Sequence, residues 1–293
     1  MPDPTTIQPS SGGAFRALLH ERLFLFIMLA NIAYFVVMLA SGVNWQSPLT
    51  RDLLNWGGNY APFTLIGQSW RLVSSMFMHA GVIHLALNML MLFQLGMIAE
   101  QRFGSLRFGV VYWLSGLGGA LLSALWNSIH EVGGSGFVLG ALVQAQHLSP
   151  AVSVGASGAI MGLAGALFVS HYVGPIDDDG PNHDVRTIGQ VILMNLAIGF
   201  MVKGIDQSAH IGGLLGGLIG GLLLTRNRFG RDTTFMYLAY PLLIAALATA
   251  GVFWVATQPP SEKLQVYREQ VDSELRASPT PAPDPDDAAS APP

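Results

Sequence analysis

The stretch VSVGASGAIMGLAGALFVSHYV, residues 152–173, decides the fold. It holds no Asp, Glu, Lys or Arg. As a helix it reaches across the ~30 Å hydrocarbon layer of a bilayer, which takes about 20 mostly apolar residues. The whole chain has the same character. Of 293 residues, 51% are hydrophobic and 11% are charged, against about 25% charged in a soluble domain. Too few charges remain to cover a wetted surface. The 34 glycines and the mean hydropathy of +0.45 agree with this, since transmembrane helices tolerate glycine inside apolar runs. A water-soluble globule, a disordered chain and a nucleic-acid binder with a basic surface are excluded, and the net charge of −4 names no partner. With no cysteine, disulfides, thiolate metal sites and a cysteine nucleophile are excluded too. The chain reads as an all-α, multi-pass membrane protein.

Working outward from 152–173 (span 4), further apolar stretches give span 1 at Leu23–Leu39, span 2 at Val82–Ala99, span 3 at Phe108–Asn127, span 5 at Ile188–Val202, span 6 at Ile205–Leu224 and span 7 at Phe235–Ala256. Span 1 is too long for the apolar part of a signal peptide and lacks a small-residue cleavage pattern after it, so it reads as retained. Residues 1–20 form a Pro/Ser/Gly-rich leader without enough apolar surface to fold alone. Residues 21–225 are a six-helix core, and 226–257 a linker and the seventh span. Residues 258–293 form a Pro/Ala/Asp-rich tail, mostly disordered, with a short amphipathic stretch near Leu264–Leu275.

The basic residues orient the bundle. With the N-terminus inside, the inner segments hold Arg16, Arg22, Arg102, Arg107, Arg186, Arg226, Arg228 and Arg231. The outer ones hold Arg51, Arg71, Lys203 and the tail residues Lys263, Arg268 and Arg276. This predicts a cytoplasmic N-terminus (in the inner membrane, for a bacterium). The first outer connection carries Trp45, Trp56, Tyr60, Phe63 and Trp70. Such rings favour the headgroup region, so this loop lies partly in the outer leaflet.

Polar groups at membrane depth are functional candidates by default. Ser157 falls about five residues into span 4 and His210 about five into span 6, roughly 8 Å below the outer ends of their helices. His84 and Asn88 occupy the first turns of span 2, on one face by their i, i+4 spacing. All three spans are even-numbered and run inward, so the four groups share one layer. Ser157 lies in Gly155-Ala156-Ser157-Gly158, whose small residues let another helix approach and leave its amide accessible. A serine hydroxyl needs a base to act as a nucleophile, and His210 suits that role. Gly213-x-x-x-Gly217 beyond it forms a close-packing face. His84, Asn88 and the Ser157 amide can donate to a developing oxyanion, where losing one donor costs on the order of 10²–10³ in rate.

This ordered set resembles the rhomboid intramembrane serine proteases. The matching residues are Trp70-Arg71, His79 with His84 and Asn88, Glu100 and Gly104, Gly155-x-Ser157-Gly158, and Ala209-His210-x-x-Gly213-x-x-x-Gly217. The resemblance covers residues 20–225 in the right order. It implies a six-helix rhomboid bundle, with span 7 giving the 6+1 form. It also implies a Ser157–His210 dyad without a carboxylate, oxyanion donors His84 and Asn88, and structural support from His79, Trp70, Arg71, Glu100, Gly155, Gly158, Gly213 and Gly217. The substrates implied are single-span membrane proteins cut near their outer ends in the bilayer, with no cofactor, metal or nucleic acid. Where many members carry an aromatic residue four positions after the serine, this chain has Met161, whose thioether can still contact an imidazole.

The plainer readings are weaker. Ser157 alone would be helix packing, and His210 a ring bonded to a carbonyl, but their common depth favours chemistry. His84 and Asn88 could be interhelical glue. Zinc on His79, His84 and His210 lacks an accompanying HExxH pattern. His79, five residues before His84, is rotated off that face and is expected to tie the first loop to span 2. Asp206 reads as a solvated charge at a helix start, Glu100, Arg102 and Arg107 as a tie between spans 2 and 3, and Asp177-Asp178-Asp179 as a solvated run. The rival function is an inactive rhomboid-like protein that binds or escorts membrane clients. Such relatives typically lack the serine or the histidine. A transporter would need a polar path across the membrane, and the ionisable groups cluster near one face.

Overall fold

The computed structural model describes residues 22–131, 152–173, 185–201, 205–225 and 234–277. The leader, Asp177–Asp179, Lys203, Arg226, Arg228 and Arg231 lie outside them. The described chain is helical: α1 Leu23–Ala40, α2 Thr50–Asn55, α3 Ala61–Thr64, α4 Arg71–Ser74, α5 Val82–Phe103, α6 Ser105–Glu131, α7 Ser157–Val173, α8 Val185–Met201, α9 Gln207–Leu224, α10 Thr234–Ala256 and α11 Glu262–Ala277. Five helices, α1, α5, α6, α9 and α10, are long and apolar enough to cross a membrane, and α7 and α8 contain shorter apolar helices. This is a multi-pass membrane protein.

α7 lies at the centre, buried along most of its length, with α6 and α9 packed on it. Glycine makes this possible. A methyl on Gly213 would overlap the Gly158 carbonyl, and one on Gly217 the Gly162 carbonyl. At Gly119 a Cβ would stand 2.7 Å from the Ala209 carbonyl oxygen. The backbones of α6, α7 and α9 are therefore in near-direct contact, as small residues permit in membranes. α10 docks outside this group, where Trp113 Nε1 donates to Thr249 Oγ1 at 2.9 Å. Its Leu242, Leu243, Leu247 and Trp254 are exposed, as lipid-facing residues would be.

Glu100, fully buried, does more than tie spans 2 and 3. Its carboxylate accepts from the Leu23 and Phe24 amides at 3.0 and 2.9 Å and from Ser105 Oγ at 2.5 Å. It thus satisfies orphan N–H groups at the start of α1 and joins three helices at one end of the bundle. Arg102 reaches the Ser170 carbonyl at the end of α7, at 3.4 Å.

The connection between α1 and α5 is folded rather than loose. Arg71, buried in α4, donates through Nη1 to the Leu54 and Gly58 carbonyls at 2.7 and 3.0 Å, and through Nε to Gln68 at 2.6 Å. Trp70 beside it is half exposed, and its ring stacks on the Arg71 guanidinium at 4.9 Å. Burial, with Arg268 nearby, lowers the Arg71 pKa to about 10.

Two helix starts differ from the sequence reading. The fourth span was expected from Val152 and the sixth from Ile205, yet the helices begin at Ser157 and Gln207. Before Ser157 the chain runs extended. Asn59 and Ser153 exchange backbone hydrogen bonds of 3.0 and 2.8 Å, and the Gly155 amide donates to the Ser75 carbonyl at 2.9 Å. Gly155, with φ of +123°, makes the turn into α7. Non-helical backbone is tolerated at such depth because protein pairs its polar groups. Ser157 is therefore the first residue of α7, and His210 stands in the first turn of α9. Other ends shift by about three or four residues outward, with α5 running on to Phe103, α6 from Ser105 to Glu131, and α8 beginning at Val185.

Candidate active site

Ser157 Oγ and His210 Nε2 stand 2.9 Å apart. With the ring proton on Nδ1, the hydroxyl donates to Nε2, the arrangement an activated serine needs. His210 Nδ1 is buried and has no hydrogen-bond partner among the described residues. Among the described residues no carboxylate bonds the ring, so the pair is a dyad in geometry. Asp206 is not part of it and is not simply solvated. It caps α9, accepting from the Ala209 amide at 3.2 Å, from Ser123 Oγ at 2.5 Å and from Ser208 Oγ. Asp206 thereby fixes the start of α9 one turn before His210 and links it to α6.

As the first residue of α7, Ser157 has an amide that is one of the helix's orphan donors, at its positive end. His84 packs against the segment leading to it, for a Cβ on Gly155 would stand 3.0 Å from both Cε1 and Nε2 of His84. The Ala80 amide donates to His84 Nδ1 at 3.3 Å. That bond assigns the ring proton to Nε2, the atom on the Gly155 side. Asn88 is buried on the same face of α5, and its Nδ2 donates to the His84 carbonyl at 2.9 Å. One amide hydrogen is thus spent on the helix and a second is left. His84 thus lies beside the backbone that leads into Ser157, with Asn88 one turn further along α5.

His79 departs from the expectation drawn from helical rotation. α5 begins at Val82, so His79 lies in the preceding loop, and its buried ring meets His84 edge-on with centroids 5.1 Å apart. Burial, with His84 beside it, pushes its pKa down to about 3. Met161 is buried in α7, one turn beyond Ser157. Among the described residues, no cluster of three or more His, Asp or Glu side chains could hold a metal ion.

The sequence has relatives among known proteins. The Rhomboid domain family model matches residues 66–227, more than half of the chain. The chain belongs to the rhomboid family. It is 32% identical over 202 residues to the rhomboid protease AarA of Providencia stuartii, covering 66% of this chain and 69% of that one. It is 31% identical over 250 residues to the rhomboid protease GluP of Bacillus subtilis (strain 168), covering 84% and 43%. With RHOMBOID-like protein 5 of Arabidopsis thaliana the identity is 38% over 165 residues, covering 56% and 47%. The chain spans less than half the length of that plant relative and of RHOMBOID-like protein 2, where the share is 46%. The rhomboid match includes Trp70-Arg71, His84, Asn88, Ser157 and His210 within its bounds.

The sequence did not expose the Asn59–Ser153 pairing or the capping role of Asp206. The alternation Val152-Ser153-Val154 was a usable sign of an extended segment.

Proposed function

We propose that this rhomboid is an intramembrane serine endopeptidase that cuts transmembrane proteins near the outer membrane face. The observation that carries the reading is the 2.9 Å Ser157–His210 contact at the start of α7. His210 takes the serine proton as Oγ attacks the scissile carbonyl, then returns it to the leaving amine. The Ser157 amide, His84 Nε2–H and Asn88 Nδ2–H donate to the oxyanion as it forms. Water arrives from the outer side through this polar layer and releases the acyl enzyme. The substrate enters laterally as a helix and unwinds before the cut, because a helical carbonyl is already hydrogen-bonded. Spans with Gly or Pro near the outer end should therefore be preferred.

The topology proposed is a cytoplasmic N-terminus and seven crossings. The arginine distribution supports the orientation, and the crossing count is supported by the packing of α11 on the first outer connection, where Val271 joins Leu54, Tyr60 and Phe63. Both segments must share one membrane face, which requires an even number of crossings from α5 to α10, and those helices supply six.

The test is cleavage of a reporter span by the reconstituted full chain, beside fluorophosphonate labelling. Wild type should cut the reporter and take the label at Ser157. Ser157→Ala should lose both while keeping its thermal unfolding midpoint. Cleavage that survives in Ser157→Ala overturns the proposal.

A further inference from the structure

Beyond the last apolar helix, α11 stays against the protein. α11 turns back onto the first outer connection, presenting Leu264 and Val271 as buried residues, 3% and 8% exposed. Val271 and Tyr267 pack with Leu54, Tyr60 and Phe63. Arg268 donates to the Ile66 carbonyl and places its guanidinium 5.5 Å from the centre of the Phe63 ring, while Arg71 lies 5.2 Å from the same ring. Asp272, one turn along α11, lies 3.4 Å from Arg268 Nε. α11 thus grips the single turn α3, with an apolar contact, a cation over an aromatic face and a charged hydrogen bond.

What α3 holds in turn leads to the serine. The Thr64 hydroxyl, at the end of α3, accepts from the Tyr60 amide at 3.2 Å and donates to Asn59 Oδ1 at 2.8 Å. Asn59 Nδ2 donates to the Ala120 carbonyl of α6 at 2.8 Å. The Asn59 backbone makes the two hydrogen bonds to Ser153, four residues before Ser157. Every link is a packed or hydrogen-bonded contact between buried or half-buried groups.

We propose that α11 is a positioning element for the Ser157 site: Arg268 and Val271 hold α3, and through Asn59 they keep residues 152–156 in the extended path that ends at the nucleophile. Without α11, α3 keeps its sequence but loses one of the surfaces that confine it, and the segment before Ser157 samples more conformations. Misplacement of a nucleophile by a fraction of an ångström lowers turnover more than it weakens substrate binding. This inference rests on the protease reading for its kinetic half alone.

The experiment compares the full-length wild type in bilayers with Arg268→Met/Val271→Asp, a chain ending at Ser261, and Val271→Leu as the conservative control. Hydrogen exchange is followed at residues 59–66, 152–156 and along α7 and α9, and kcat and KM are measured on a reporter span. In the first two variants, exchange at 59–66 and 152–156 should quicken about tenfold. Exchange in α7 and α9 should hold, kcat should fall about tenfold and KM should stay within about twofold. Val271→Leu should behave as wild type. Unchanged exchange at either segment overturns the proposal, and so does faster exchange at both with kcat unchanged. A wild type that cleaves nothing sinks the protease reading, while the exchange arm still decides whether α11 holds the serine's approach.

Discussion

Alanine replacements along the α7–α9 contact should produce a graded series of defects. A Cβ on Gly158 would stand 3.1 Å from the Ala209 carbonyl oxygen, and one on Gly165 2.9 Å from the Leu214 carbonyl oxygen, where 3.4 Å is an ordinary approach. α7 and α9 must then part by about 0.3 Å for Gly158→Ala and about 0.5 Å for Gly165→Ala, since backbone cannot swing aside as a side chain does. On Gly213 the methyl would overlap the Gly158 carbonyl, so a much larger shift is needed. Ser157 rides on α7 and His210 on α9, so their 2.9 Å contact opens with the helices. If 1 Å of misplacement costs about 10²-fold, Gly158→Ala should lose about fourfold in kcat and Gly165→Ala about tenfold. Gly213→Ala should be inactive and destabilised by about 1–3 kcal/mol through overpacking. Gly251→Ala, where a methyl meets nothing within 4 Å, is the neutral control. Reporter cleavage in proteoliposomes gives the rates and thermal unfolding the stabilities. Gly213→Ala that is as active and stable as Gly251→Ala would refute the close backbone contact on which the dyad depends.

Asp206→Ala removes the cap of α9 and should cost about 1 kcal/mol in unfolding experiments, with kcat reduced by no more than about tenfold. A loss near the roughly 10⁴-fold seen when a triad carboxylate is disabled would show that Asp206 acts on His210 as a third catalytic member. Glu100→Ala leaves the Leu23 and Phe24 amides without their buried acceptor and should cost about 3 kcal/mol or more in thermal unfolding; unfolding unchanged from wild type would count against that anchor. His79 has a folded pKa near 3, against an ordinary value of 6.5. Between these values the unfolded chain takes up a proton that the folded ring refuses. Stability should therefore fall as pH drops from about 6.5 toward 3, by at most about 1.4 kcal/mol per pH unit. His79→Asn should flatten that slope, and an equally steep slope in the variant would assign it elsewhere.

Membrane residence, the helical class and the candidate pair Ser157 and His210 were legible in the sequence, because each follows from composition or short spacing. Apolar length fixes a span locally, and GASG with AHxxGxxxG marks two small-residue faces that only close helix contact explains. Helix starts at 157 and 207 were not legible, because apolar length does not record where backbone hydrogen bonds begin. Asn59, nearly a hundred residues away in the chain, pairs with Ser153 and makes that choice. The same holds for Glu100, whose partners in α1 lie 77 and 76 residues back, for Asp206 reaching Ser123 across 83 residues, and for Arg268 reaching Ile66 across 202. Local pattern determines which residues can sit in a bilayer and which carry reactive groups. The 2.9 Å between Ser157 and His210, and the packing of α11 on the connection between α1 and α5, depend on which distant backbones meet, and that is decided when the helices pack.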